Sequence, residues 1–329
     1  MNTLNRIMEC PKCGAIIQER ASYCSQCGEV LNENPFQRLR VRSLLIWLLI
    51  GTILLSIVFA VVVFTMGDDF PFEEIDPVVF AIMGDVGFYG LTIAWGIWLL
   101  RKYKVKSVYL AGKVPSNFNW RPIIVLLPAL IVFSIATVWI TSYPWSVIAP
   151  EYTEYIFNQP FLLTGADTSN PVLYNIWVCF TVLILALVIE EFLFRGILFT
   201  RWSVKWGTTA VIIISSLLFG SLHLDIVGAL MFGIMMCVLY MRTKTLWIPV
   251  VVHILYNMLV IGLEALAITG VWSIEINAHN LQTELYMALI FMLISSPIIF
   301  YLLVHWWPLK KEGPPFFTNS LHTQTLRSL

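Results

Sequence analysis

The chain has 329 residues, 58% of them hydrophobic and only 12% charged, with 20 Lys and Arg against 20 Asp and Glu. Soluble domains carry about 25% charged residues, so this composition and a mean hydropathy of +0.80 exclude a soluble globular domain and indicate a multi-span membrane protein. The zero net charge hides a strong segregation of sign along the chain.

Residues 1–35 read as a separate module. They contain Cys10-Pro11-Lys12-Cys13-Gly14 and Cys24-Ser25-Gln26-Cys27-Gly28, with ten residues between the inner cysteines. Two C-x-x-C knuckles suit a tetrahedral four-cysteine zinc site, and the glycine after each tolerates the positive φ that follows the turn. The expectation is a minimal zinc ribbon in which structural zinc supplies most of the folding energy. Two disulfides are the alternative, disfavoured by a cytosolic location. Arg6, Lys12 and Arg20 stand against Glu9, Glu19, Glu29 and Glu33. That balance argues against nucleic acid and for a protein partner or a sensing role. Residues 36–43 read as a basic linker. Residues 1–43 present no apolar core of a cleavable signal, so the first span is expected to act as an uncleaved anchor.

Eight apolar segments follow, near 44–66, 78–100, 123–142, 172–200, 207–222, 226–241, 246–268 and 285–307. The expected fold is therefore an all-α polytopic membrane protein of about eight transmembrane helices plus the N-terminal ribbon. Residues 44–119 form the N-terminal spans, 120–307 a core and 308–329 a flexible cytosolic tail. Arg101, Lys102, Lys104, Lys106, Lys113 and Arg121 share one loop, and Arg201, Lys205, Arg242 and Lys244 fall in short ones. The opposite loops hold Asp68, Asp69, Glu73, Glu74, Asp76, Glu151, Glu154, Asp167, Glu275 and Glu284 without a Lys or Arg. The positive-inside rule then places both termini in the cytosol of a multi-pass protein of the cell membrane. Of the 20 Lys and Arg, Arg195 alone falls within a span.

That span carries Glu190, Glu191 and Arg195. An ionised side chain at the bilayer centre costs roughly 2.5–3.5 kcal/mol on insertion scales, so three together point to function or to a buried ion pair. Glu191 and Arg195 are i and i+4 and can pair. Glu190 lies about 100° away on the helix and is left for other work. The fifth segment ends Phe219-Gly220-Ser221-Leu222-His223, and the seventh carries His253-Ile254-Leu255-Tyr256-Asn257. At helical rise, Glu190, His253 and Asn257 lie about 15, 10 and 16 Å from the cytosolic ends, and His223 near 24 Å. The fifth and sixth segments are short, so their turn at His223 and Asp225 is expected below the outer surface, facing a cavity. Asp85, in the second span, reads as a packing residue.

A desolvated glutamate can act as a base toward water, an imidazole can relay the proton, and a second imidazole and an amide can hold an oxyanion. The competing chemistry makes His223, His253 and a glutamate zinc ligands, but no H-E-x-x-H spacing is present.

The ordered set Glu190-Glu191-x-x-x-Arg195, Phe219-x-x-x-His223 and His253-x-x-x-Asn257 resembles the CPBP family of intramembrane glutamic proteases. These include type II CAAX prenyl endopeptidases, Abi proteins and bacteriocin-processing or immunity relatives. The resemblance covers about residues 120–306. It implies that Glu190 and His223 activate water, that His253 and Asn257 hold the oxyanion, and that Glu191, Arg195 and Phe219 support them, with no catalytic metal favoured. The substrate would be a peptide or membrane protein, lipidated or not, met among membrane lipids. The alternatives are a non-catalytic adaptor or immunity-like protein, and a zinc metalloprotease built on the same His and Glu cluster.

Overall fold

A computed structural model describes residues 7–10, 12–18, 26, 35–66, 76–157, 168–268, 278–308 and 313–320. Its helices are α1 (Pro35–Arg38), α2 (Ser43–Met66), α3 (Pro77–Lys102), α4 (Ser107–Ala111), α5 (Arg121–Ile148) and α6 (Pro150–Phe157). They continue with α7 (Pro171–Trp206), α8 (Thr208–Ser221), α9 (Ile226–Thr243), α10 (Trp247–Ile268), α11 (Ala278–Thr283) and α12 (Leu285–Trp306). Ahead of them, strands β1 (Ile7–Glu9) and β2 (Ile16–Gln18) pair antiparallel, with Glu9 opposite Ile16.

Seven of these helices, α2, α3, α5, α7, α9, α10 and α12, are long and apolar enough to cross a bilayer. The eighth expected span, near 207–222, is the 14-residue α8. At 1.5 Å per residue it reaches only about 21 Å, short of the roughly 30 Å hydrocarbon core. Gly207, at φ +81°, opens α8, and the turn at Leu222 closes it. Helix α7 is longer than expected. Its 36 residues run through two π-helical stretches, Thr181–Leu185 and Phe192–Leu198. Arg201 and Lys205 therefore lie on its last turns rather than in a loop.

Helix α9 is the central post. Phe232 and every residue from Met235 to Met241 are at most 4% exposed. A helix apolar on all faces belongs at the centre of a bundle. Helix α8 packs along it, α5 flanks it, and α12 lies along α5. The outer helices turn apolar side chains outward, as with Leu45 at 71% and Phe64 at 87% exposed on α2. Continuous apolar surface of this kind is covered by lipid in a membrane protein.

Described residues of the basic linker and of the tail pack against the helices. In the basic linker, Phe36 and Leu39 are buried, and the Leu39 carbonyl accepts from Arg201 Nε at 2.7 Å. In the tail, residues 315–320 are helical. The Phe316 ring meets Phe36 at 4.9 Å and Tyr109 at 5.8 Å, and Asn319 Nδ2 donates to the Tyr109 and Lys244 carbonyls at 2.9 Å each. Both segments carry aromatic side chains whose burial outweighs their polar neighbours, each fully buried Phe contributing about 1.5–3 kcal/mol. The α9–α10 turn joins this clasp. Tyr240 and Thr245 hydroxyls donate to the Leu110 and Ala111 carbonyls, and Gly112, at φ +67°, lies so close that a β-carbon there would overlap the Lys244 carbonyl.

At the other end of the bundle Asp76 caps α3. It accepts from Val78 N at 2.8 Å, from Ser169 N at 2.6 Å and from the Thr168 and Ser169 hydroxyls, tying the start of α3 to the residues that precede α7. These bonds, led by the Ser169 hydroxyl, hold the Asp76 carboxyl well below the usual carboxylate range. Asp85 lower in α3 accepts from Trp177 Nε1 at 2.8 Å and Thr181 Oγ1 at 3.2 Å, which is the packing role expected of it. The acidic residues Asp68, Asp69, Glu73, Glu74, Asp167 and Glu275 lie outside the described residues.

Candidate functional site

Helix α7 supplies Glu190, Glu191 and Arg195. The i, i+4 pair forms as the spacing requires. Arg195 Nη1 lies 3.0 Å from Glu191 Oε1, with both side chains at most 1% exposed. The same carboxylate oxygen lies 3.0 Å from His253 Nδ1 on α10. Arg195 Nη2 reaches the Gly233 carbonyl of α9 at 3.4 Å. At the same glycine α8 and α9 cross closely, so that a β-carbon on Gly233 would sit 3.1 Å from Ser216 Cβ.

Phe219 of α8 forms the floor of this cluster. Its ring lies 4.5 Å from the Arg195 guanidinium carbon, 5.1 Å from Phe194 and 4.4 Å from His223. A guanidinium over an aromatic face is attracted by the ring quadrupole, more strongly when both are desolvated. On the other side Phe232 of α9 meets His253 at 4.7 Å and Tyr256 at 4.8 Å. Sequence reasoning missed Phe232, because an aromatic in a uniformly apolar helix carries no local sign of its neighbours.

Both histidines have a fixed tautomer. His223 Nδ1 lies 2.7 Å from the Phe219 carbonyl. A carbonyl oxygen only accepts, so Nδ1 carries the hydrogen and Nε2 presents a lone pair when the ring is neutral. His253 Nδ1 likewise donates to the Glu191 carboxylate, and protonation at Nε2 would give it a second donor.

Asn257 donates through Nδ2 to the Val182 carbonyl at 3.0 Å. Val182 lies in the first π-helical stretch, where the altered ladder leaves carbonyls to be satisfied from outside, and such stretches occur often at functional sites. One amide hydrogen is used there and the second remains. The π-helical stretches, which rotate everything beyond them on α7, left no mark that sequence reasoning detected.

Glu190 is half-buried, and the Tyr89 hydroxyl of α3 lies within the reach of its charge. Among the described residues no hydrogen bond or ion pair joins Glu190 to His223, His253 or Asn257. The structure thus brings Glu191, Arg195, Phe219 and His253 into one contact cluster, with the His223 ring tilted against Phe219 at its edge. Asn257 is bonded instead to the Val182 carbonyl, and Glu190 makes none of these contacts.

At the N-terminus, Cys10 and Cys13 lie in the connection between β1 and β2. Cys10 N donates to the Ala15 carbonyl and Gly14 N to the Cys10 carbonyl, both at 2.8 Å, and Gly14 has φ +69°. Cys24 and Cys27 lie outside the described residues. Among the described residues no group of three or more His, Cys, Asp or Glu is placed to hold a metal ion.

Fold and cluster together define a polytopic helical membrane protein with a buried Glu–Arg–His core. Residues 172–259, which include the whole cluster, match the family described as "Type II CAAX prenyl endopeptidase Rce1-like". The chain is also 33% identical over 80 residues to a protein of Bacillus subtilis (strain 168) named "Putative membrane peptidase YdiL". That alignment covers 23% of this chain and 33% of the relative, so the chain spans about a third of the relative's length. No solved structure matches the chain.

Proposed function

We propose that the protein is an intramembrane endopeptidase that cleaves peptide bonds of membrane-associated substrates, with Glu190 and His223 activating water. The reading is supported by one observation: the residues that match the endopeptidase family include the buried contact of Glu191, Arg195 and His253, with His223 in the turn after α8, Asn257 on α10 and Glu190 next to Glu191 on α7. The Glu190 carboxylate takes a proton from water while the free Nε2 of His223 orients it. The resulting hydroxide attacks the scissile carbonyl carbon. The tetrahedral oxyanion is held by His253 Nε2–H and the second hydrogen of Asn257 Nδ2, in a site from which water is largely excluded. For His253 to donate from both nitrogens it must be an imidazolium, with Nδ1–H held by the Glu191 carboxylate. Collapse breaks the C–N bond, and the proton on Glu190 passes to the leaving amine. Glu191, Arg195 and Phe219 hold the imidazole and do not touch substrate.

The test uses the purified full chain in detergent with a prenylated CAAX peptide, the substrate class named by the family. Wild type should release the tripeptide. Glu190→Gln should stop release while unfolding at the wild-type temperature, and near wild-type cleavage by Glu190→Gln overturns the assignment of the base.

The N-terminal cysteines are a second proposal. The β1–β2 turn supports one zinc knuckle, since its two thiols stand beside a glycine at positive φ. Cys24 and Cys27 would supply the other two ligands, and the ion would hold the module together as a docking unit for a protein partner. One zinc per chain in wild type, absent from Cys10→Ser/Cys13→Ser, is the expected result. Zinc retained at one per chain after deletion of residues 1–34 would instead place a metal among the membrane helices.

A further inference from the structure

We infer that Asp225, held by Ser134 and Thr137 of α5, is the positioning residue for His223, so that the site depends on a helix outside the region matched to the family. The inference rests on the reading of His223 as a residue that handles water.

His223 and Asp225 share the turn between α8 and α9. Asp225 caps α9, its Oδ1 accepting from Gly228 N at 3.0 Å. Two bonds arrive from α5: Thr137 Oγ1 donates to Oδ1 at 3.0 Å, and Ser134 Oγ donates to Oδ2. Ser134 is in turn a hydrogen-bonding neighbour of the Tyr256 phenol, which neighbours Asn257 on α10. One carboxylate therefore joins the turn, α5 and, through Ser134, the helix that bears His253 and Asn257.

The glycines around the turn show how closely it is held. A β-carbon on Gly228 would overlap Asp225 Oδ2 and Ser134 Oγ. One on Gly220 would lie 2.6 Å from the Ile226 carbonyl. The backbone of the turn is thus pressed against the start of α9 while its carboxylate is clasped from the side. Within it His223 N donates to the Gly220 carbonyl at 3.0 Å, and the ring donates from Nδ1 to the Phe219 carbonyl. The His223 side chain itself is only half-buried. Among the described residues its ring bonds only the Phe219 carbonyl of the helix that it follows, so the ring's orientation follows the turn. The turn is fixed by Asp225.

The experiment labels histidine with nitrogen-15 in the full chain in nanodiscs and reads the imidazole tautomers of the five histidines, His223→Gln supplying the assignment of His223. In wild type His223 should show a fixed Nδ1–H tautomer. Asp225→Ala should convert that signal to averaged tautomers while leaving the His253 signal, which Glu191 holds, unmoved. Asp225→Asn, which keeps the cap and an acceptor, should retain the fixed form. Should Asp225→Ala not fold, Ser134→Ala/Thr137→Val carries the same comparison. A fixed His223 tautomer in every variant overturns the inference. On the prenylated peptide Asp225→Ala should lower kcat about tenfold or more with KM unchanged, since small misplacements of a catalytic group are costly. Wild-type cleavage by His223→Gln would remove the role given to His223 in catalysis, and the tautomer measurement would still decide whether Asp225 positions it.

Discussion

Glu191 Oε1 lies 3.0 Å from His253 Nδ1 while also holding Arg195 at 3.0 Å, so one buried oxygen serves a cation and an imidazole from two different helices. The adjacent Glu190 makes neither contact. Two neighbouring carboxylates therefore have separable duties. Replacing Glu191 with Ala strands a guanidinium that is 1% exposed. Removing one partner of a buried pair costs about 3–5 kcal/mol. Thermal unfolding in detergent should show Glu191→Ala far below wild type and Glu190→Gln at the wild-type midpoint.

Phe219 should be the most sensitive apolar position near the site. Its ring is 1% exposed and touches Arg195, Phe194 and His223. Truncating a buried Phe to Ala costs about 3–5 kcal/mol. Denaturant unfolding of Phe219→Ala should show a loss of that order, and the His223 ring, deprived of the ring that it packs against, should react faster with diethyl pyrocarbonate.

The clasp of Asp76 on the start of α7 should depend on pH. Its folded carboxyl titrates below the ordinary aspartate value of about 3.9. The stabilisation is then fully present above that value and is lost as pH falls through the lower, folded one. Hydrogen exchange of the first turn of α7, corrected for intrinsic rate, should show protection that falls away below about pH 4 in wild type. In Asp76→Asn protection should be weaker at neutral pH and independent of this titration.

Gly112 should resist substitution. It combines φ +67° with a backbone approach that leaves no room for a β-carbon beside the Lys244 carbonyl. Gly112→Ala should cost more than about 1 kcal/mol, because Ala is disfavoured at positive φ even where space exists. Limited proteolysis should then cut residues 313–320, which Asn319 holds to the same carbonyl.

Truncation should find a sharp boundary. A chain beginning at residue 35 keeps Phe36 and Leu39 in the core, and one beginning at residue 41 loses both. Each is worth about 1.5–3 kcal/mol by area buried. The shorter chain should unfold at a clearly lower temperature, and the longer one should match the full chain.

Local physics in the sequence determined the membrane class, nearly all the span positions and the pairing of Glu191 with Arg195. Hydropathy over about 20 residues and the i, i+4 geometry of a helix need no knowledge of distant segments. The same geometry separated Glu190 from its neighbour. It did not decide which carboxylate His253 takes, because that depends on the rotation of α7 about its axis, which the stretches at Thr181–Leu185 and Phe192–Leu198 alter. Nor did it place residues 35–39 and 313–320 against the α9–α10 turn, or Asp225 against Ser134, 91 residues away. Those contacts form only when packed helices bring remote backbone and side chains to one depth. In this protein the local pattern named the polar residues, and the packing of α5, α7, α8, α9 and α10 chose their partners.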